Sequence, residues 1–177
     1  MPSVTNDNFG PLVAYLVPGV TVLAGLSPFS PTLQGWFAVA PKVAPSIGGF
    51  LYVTVAALAV GMTLNAVRWA LVDTAHRLTG LAPPTLDFSR LGENVDAFVL
   101  LIEIHYRHYQ FYANMFVATA VAYASYRVWL GGYSVGLADL GVLALEGVFL
   151  VTSRDTLRKY YARGHQLLSS PKRTSAD

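Results

Sequence analysis

Residues 48–67, GGFLYVTVAALAVGMTLNAV, contain no charged side chain and run directly into Arg68. A helix rises about 1.5 Å per residue, so a stretch of that length reaches across roughly 30 Å of hydrocarbon. Three further apolar runs, at about 9–26, 109–130 and 135–153, approach the same reach. Only 12% of the 177 residues are charged, against about 25% in an average soluble domain. The chain is therefore expected to be an all-α integral membrane protein, a four-transmembrane-helix bundle with spans near 9–26, 48–70, 109–130 and 135–153.

Proline and glycine punctuate the runs. Pro18-Gly19 inside the first predicts a kink, tolerated where a neighbour re-satisfies the carbonyl that proline frees. SPFSP at 27–31 ends that helix, because proline lacks a donor and biases its predecessor away from helix. Residues 31–45 read as an interfacial loop with a short helix capped by Ser30, or as a re-entrant segment. The second helix is expected to continue to about Leu78, before Gly80 and Pro83-Pro84. The third is expected from Ser89 to Leu130 without a break, and GGYS at 131–134 as a tight turn. Helices 2, 3 and 4 thus extend into the cytoplasm through residues 71–108 and 154–168, and 169–177 form a disordered tail.

Basic residues set the orientation. Arg68, Arg77, Arg90, Arg107 and the cluster from Arg154 onward lie on one side, whereas Lys42 and Arg127 lie on the other. The positive-inside bias puts both termini in the cytoplasm. No Lys or Arg precedes the first apolar run, which argues against a secretory signal peptide. In gross plan the chain resembles small four-pass accessory proteins of bacterial genomes, which implies a bacterial inner membrane; no motif carries that likeness.

The stretch 103–114, EIHYRHYQFYAN, crowds Glu103, His105, Arg107 and His108 ahead of the third apolar run. At about 100° per residue, Asp96, Glu103, Arg107, Gln110 and Asn114 share one stripe of a straight helix. Glu103 and Arg107 have the favourable i,i+4 order. His105 then projects to nearly the opposite side, so one helix does not bring Glu103, His105 and His108 to a common metal. His105 and His108 with Asp73 and His76 remain the only metal candidates, and no metal or other cofactor is expected. The histidines with Tyr106, Tyr109 and Tyr112 read as an interfacial belt.

Inside the membrane, ionisable groups are costly and default to functional candidates. Asp139 and Glu146 share a face of the fourth helix, and Asn65 and Arg68 lie along one side of the second. The expected bundle pairs Asn65 with Asn114, and Arg68 or Arg107 with acidic neighbours; alternatively the stripes line a pathway with Glu146 as its deepest charge. Gly61, Gly136, Gly141 and Gly147 allow close helix contact, but no G-x-x-x-G pair occurs within the runs. Arg154, Arg158, Lys159 and Arg163 form a basic, aromatic-rich helix suited to anionic lipid or a protein partner; nucleic acid is not expected. No phosphate-binding loop, G-x-S-x-G or EF-hand loop is present, and there are no cysteines.

The leading expectation is a non-enzymatic membrane component, assembling into a homo-oligomer that conducts ions or perturbs the bilayer, with cytoplasmic helices that receive a protein partner. A membrane anchor for a soluble partner is one alternative. A membrane-embedded enzyme using Glu103, His105, His108, Asp73 and His76 is the other.

Overall fold

The computed structural model describes residues 6–37, 47–131 and 135–169. Of these, 89% are helical and none is in a strand. The helices are α1 (Asn6–Leu26), α2 (Pro31–Trp36), α3 (Ile47–Arg68), α4 (Thr74–Leu78), α5 (Val95–Leu101), α6 (Arg107–Leu130) and α7 (Leu137–Leu168). A π-helical turn, Trp69–Asp73, joins α3 to α4, and a second, Ile102–Tyr106, joins α5 to α6. Two helical stretches are long and apolar enough to cross a membrane, Leu12–Phe29 and Ile47–Leu78. α6 and α7 have comparable length, but α6 carries Asn114, Arg127 and several tyrosines within its apolar run, and α7 carries Asp139 and Glu146.

Several boundaries follow their local chemistry. Ser30 caps α2, its hydroxyl accepting from the Leu33 N–H at 3.3 Å. The second helix ends at Leu78, and Gly80 takes the left-handed conformation (φ 89°) that favours glycine. Gly131 closes α6 in the same region (φ 63°). The rest of the 131–134 turn, residues 38–46 of the interfacial or re-entrant segment, Lys42 and the tail from 170 lie outside the described residues. The third helix departs from expectation. A 3₁₀ turn occupies Phe88–Glu93, α5 starts only at Val95, and the π turn interrupts the run that was expected to be continuous.

α1 sits between α3 and α6, and α6 in turn packs on α7. The core is Val22, Leu64, Val72, Tyr109, Ala113, Val117, Ala118 and Leu157. Glycines set the crossings. A Cβ on Gly19 would lie 1.8 Å from the Ala57 carbonyl oxygen, and one on Gly61 would lie 2.1 Å from the Tyr15 oxygen. Gly25 meets the Ala122 backbone of α6 in the same way. Small residues at these positions let the backbones approach closely.

Pro18 is fully buried within an unbroken α1. Having no N–H, it leaves the carbonyl four residues earlier, that of Ala14, without its helical donor. Asn114 of α6 fills the gap, its Nδ2 donating to Ala14 O at 3.2 Å. The expected neighbour that re-satisfies the carbonyl is thus Asn114, and the expected Asn65–Asn114 bond is replaced. Asn65 Oδ1 is buried without a partner among the described residues. Asn114→Leu is expected to cost about 1–2 kcal/mol in denaturant unfolding. In a Pro18→Ala background residue 18 regains its N–H, so the same substitution should cost markedly less. Equal costs in the two backgrounds would show that the amide does not serve this carbonyl.

Candidate functional site

The densest buried polar group lies where the long apolar helices give way to the charged extensions. Arg68 is the last residue of α3 and Asp73 the last of the π turn. Residues five apart diverge on an α-helix, but a π turn hydrogen-bonds i to i+5 and stacks them. Here it sets Arg68 Nη1 3.2 Å from Asp73 Oδ1, with both side chains largely withdrawn from solvent. Tyr109 of α6 donates its hydroxyl to the same Asp73 oxygen. The Arg68 guanidinium carbon lies 4.9 Å from the Tyr109 ring centroid, within cation–π range. One carboxylate, one guanidinium and one phenol thus tie α3, the π turn and α6 together. Among the described residues Arg68 Nε is buried with no partner.

One turn onward, His76 Nε2 lies 3.2 Å from Ser153 Oγ of α7. Ser153 donates to the Leu150 carbonyl of its own helix at 2.8 Å, so the hydroxyl accepts from His76. A catalytic serine needs a neighbouring histidine that takes its proton, and open access to substrate. Here the proton runs the other way and both side chains are buried. The contact holds α4 to α7. Arg154 strengthens the same junction by donating to the Thr79 carbonyl at 2.8 Å and to the Thr79 hydroxyl.

The stretch 103–108 is dispersed. Glu103 and Arg107 form the expected i,i+4 pair at 3.4 Å, partly exposed. His105 is buried and accepts from Arg163 Nη1 of α7 at 2.7 Å through Nε2, which requires a neutral ring. Burial, with the added charge of Arg163, Lys159 and His108, holds that ring below the usual histidine range, against the opposing pull of Asp155. His108 is exposed beside Tyr112. Asp73 and His76 belong to the buried group described above. Among the described residues no three His, Asp or Glu side chains are grouped to hold a metal. The stripe expected from Asp96 to Asn114 is likewise broken, because the π turn re-phases the helix within it; Asp96 is exposed and Asn114 fully buried. Gln110 Nε2 reaches the Tyr15 hydroxyl of α1 at 3.4 Å.

The remaining candidates divide between the two ends. Asp139 Oδ1 accepts from Arg127 at 2.7 Å and from the Tyr123 hydroxyl, while its Oδ2 accepts from the Gly136 N–H at 2.6 Å and so caps α7. Between the ends, Glu146 Oε1 accepts from the Thr119 hydroxyl at 2.5 Å, and its Oε2 is buried without a partner among the described residues. Lys159 pairs with Asp155 at 2.5 Å on the exposed side of α7. Arg158 lines an open cleft of about 440 Å³ with Gly80, Leu81, Tyr161 and His165.

Several contributors escaped the sequence reading, Tyr15, Thr79, Thr119 and Tyr123 among them. Tyr109, assigned there to an interfacial belt, is fully buried and central. Ser153 was not singled out at all. Spacing gives a signal for the helix crossings: Ala57 and Gly61 are small residues four apart on α3, as are Ala118 and Ala122 on α6. Compared with protein-family models, with curated proteins and with solved structures, the chain matches none.

Proposed function

We propose that this chain is a non-enzymatic, four-span membrane protein of the bacterial inner membrane, with α1, α3, α6 and α7 crossing the bilayer. Its inner ends form a helical head that receives a cytoplasmic protein partner. The observation that carries this reading is the apolar belt. Phe50 is 73% exposed, Met62 67%, Leu143 69% and Val151 68%. Soluble monomers rarely expose contiguous apolar surface beyond a few hundred Å². A soluble core helix of such composition would be mostly buried, yet only 28% and 22% of the two most apolar stretches are. Polar groups follow the opposite rule, with Asn114, Asp139 and Glu146 each bonded to another helix or its flank. Those in-chain bonds favour an anchor or accessory role over conduction.

Conduction by a homo-oligomer is a second reading with its own support. Among the described residues Glu146 Oε2 is buried and unpartnered, and the outer part of α7 leans on α6, with open space beside Gly141 and Gly147. A second copy or a file of water would meet both.

The absence of cysteine makes topology directly testable. Single cysteines at Gly35 and Thr85 should react on opposite faces: Gly35→Cys with an impermeant maleimide on spheroplasts, Thr85→Cys only after lysis. Labelling of both from one face would overturn the four-span reading. Glu146→Gln then separates the roles. An anchor keeps its partner and shows no current in planar bilayers before or after the change, whereas a conductor shows a current that the change alters.

A further inference from the structure

We propose that the groove between α5 and the end of α7 is a binding site for one anionic phospholipid, with a chain segment in the groove and the phosphate on Arg163. The site rests on the membrane reading above. Its walls are Ala97, Leu100, Leu101, Ile104 and Leu167, and His105 and Arg163 stand at its polar end. The cavity measures about 230 Å³, below the roughly 300–1,000 Å³ that encloses a whole drug-sized ligand. It therefore suits part of one acyl chain rather than an entire small molecule. Leu100 and Ile104 remain 55% and 47% exposed along it, an apolar surface outside the expected spans.

Charge selects the headgroup. Among the described residues no carboxylate pairs with Arg163, whose hydrogen bond goes to the neutral His105 ring. Lys159, one turn away, is already paired with Asp155. A guanidinium offers a planar fork of donors that matches phosphate oxygens, and a neutral ring nitrogen uses only part of it. A zwitterionic headgroup brings its own cation to the same place and loses that advantage. Position agrees: Ile104 precedes the third expected span by five residues, or about 8 Å along a helix, which is headgroup depth.

Native mass spectrometry of the full chain in detergent tests this, with phosphatidic acid and phosphatidylcholine of identical chains as probes. One phosphatidic acid per chain should be retained at least about tenfold more strongly than phosphatidylcholine. Arg163→Gln should erase the preference and Arg163→Lys should keep part of it. Ala97→Trp, which fills the groove and leaves the charge, should lower retention of phosphatidic acid. Equal retention of the two lipids would overturn the proposal and leave the groove as a seat for protein, and an unchanged preference in Arg163→Gln would also overturn it. Displacement by inorganic phosphate would overturn the lipid in favour of a free anion. A chain that labels at Gly35 and Thr85 from opposite faces yet ignores phosphatidic acid sinks only this site, whereas a chain that stays soluble without detergent sinks the membrane reading.

Discussion

Gly19→Leu is expected to be among the most damaging single changes in the protein. The new Cβ meets the Ala57 carbonyl oxygen at 1.8 Å, and the reciprocal position, Gly61, faces Tyr15 O at 2.1 Å. Both obstacles are backbone, so no side chain can swing aside and α1 must move bodily away from α3. Overpacking a well-fitted core costs about 1–3 kcal/mol; with rigid backbone as the obstacle, a loss of at least about 3 kcal/mol is expected. Separation would also draw α1 off α6, where Gly25 sits against Ala122. Gly141→Ala is the control, since a Cβ there meets open space among the described residues, and it should be neutral or stabilising by up to about 1 kcal/mol through helix propensity. Thermal unfolding in one detergent compares the two, and a Gly19→Leu protein as stable as the control would refute the close crossing.

The second large effect centres on Asp73. Its carboxylate faces Arg68, whose side chain is 3% exposed, and accepts from Tyr109 as well. Asp73→Leu strands a buried guanidinium, and breaking one half of such a pair typically costs about 3–5 kcal/mol. Asp73→Asn keeps an acceptor for the phenol but no countercharge, so it should fall between the two. The informative variant is Arg68→Met with Asp73→Leu. Removing both charges removes the desolvation penalty along with the attraction, so the double variant should recover much of the loss. If the losses simply add, the guanidinium and carboxylate are not coupled.

These two sites show where the sequence was readable and where it was not. The apolar runs carried the helices, and Gly80, Gly131 and Ser30 marked their ends, because those signals act within a few residues. The Glu103–Arg107 pair and the rescue of a proline-freed carbonyl were readable for the same reason: both follow from helix geometry. The π turns were not. A straight projection advances about 100° per residue, and a single π turn offsets everything beyond it. That offset withdraws Asp96 from the stripe, turns His105 inward and joins Arg68 to Asp73, a spacing no α-helix would pair. The partner of Asn114 was unreadable for another reason. Depth matched it to Asn65, but the stronger claim came from a carbonyl on a helix whose rotation about its axis the sequence does not state. Asn114, Arg127 and the tyrosines dilute the hydropathy of α6, and Asp139 and Glu146 interrupt α7, so composition marks only Leu12–Phe29 and Ile47–Leu78 as long and apolar enough to cross a membrane.

The Ala14–Asn114 bond also has a consequence in time. A hundred positions separate donor from acceptor, and a chain grows at about 5–20 residues per second. On the membrane reading, α1 reaches the bilayer some 5–20 seconds before its missing donor has been synthesised. During that interval one carbonyl of α1 has no partner on its own helix, and lipid offers none. The helix is then best sheltered at the translocon or against water until α6 emerges. Release of α1 into lipid should therefore be late, and set by synthesis of a segment far downstream rather than by its own hydropathy.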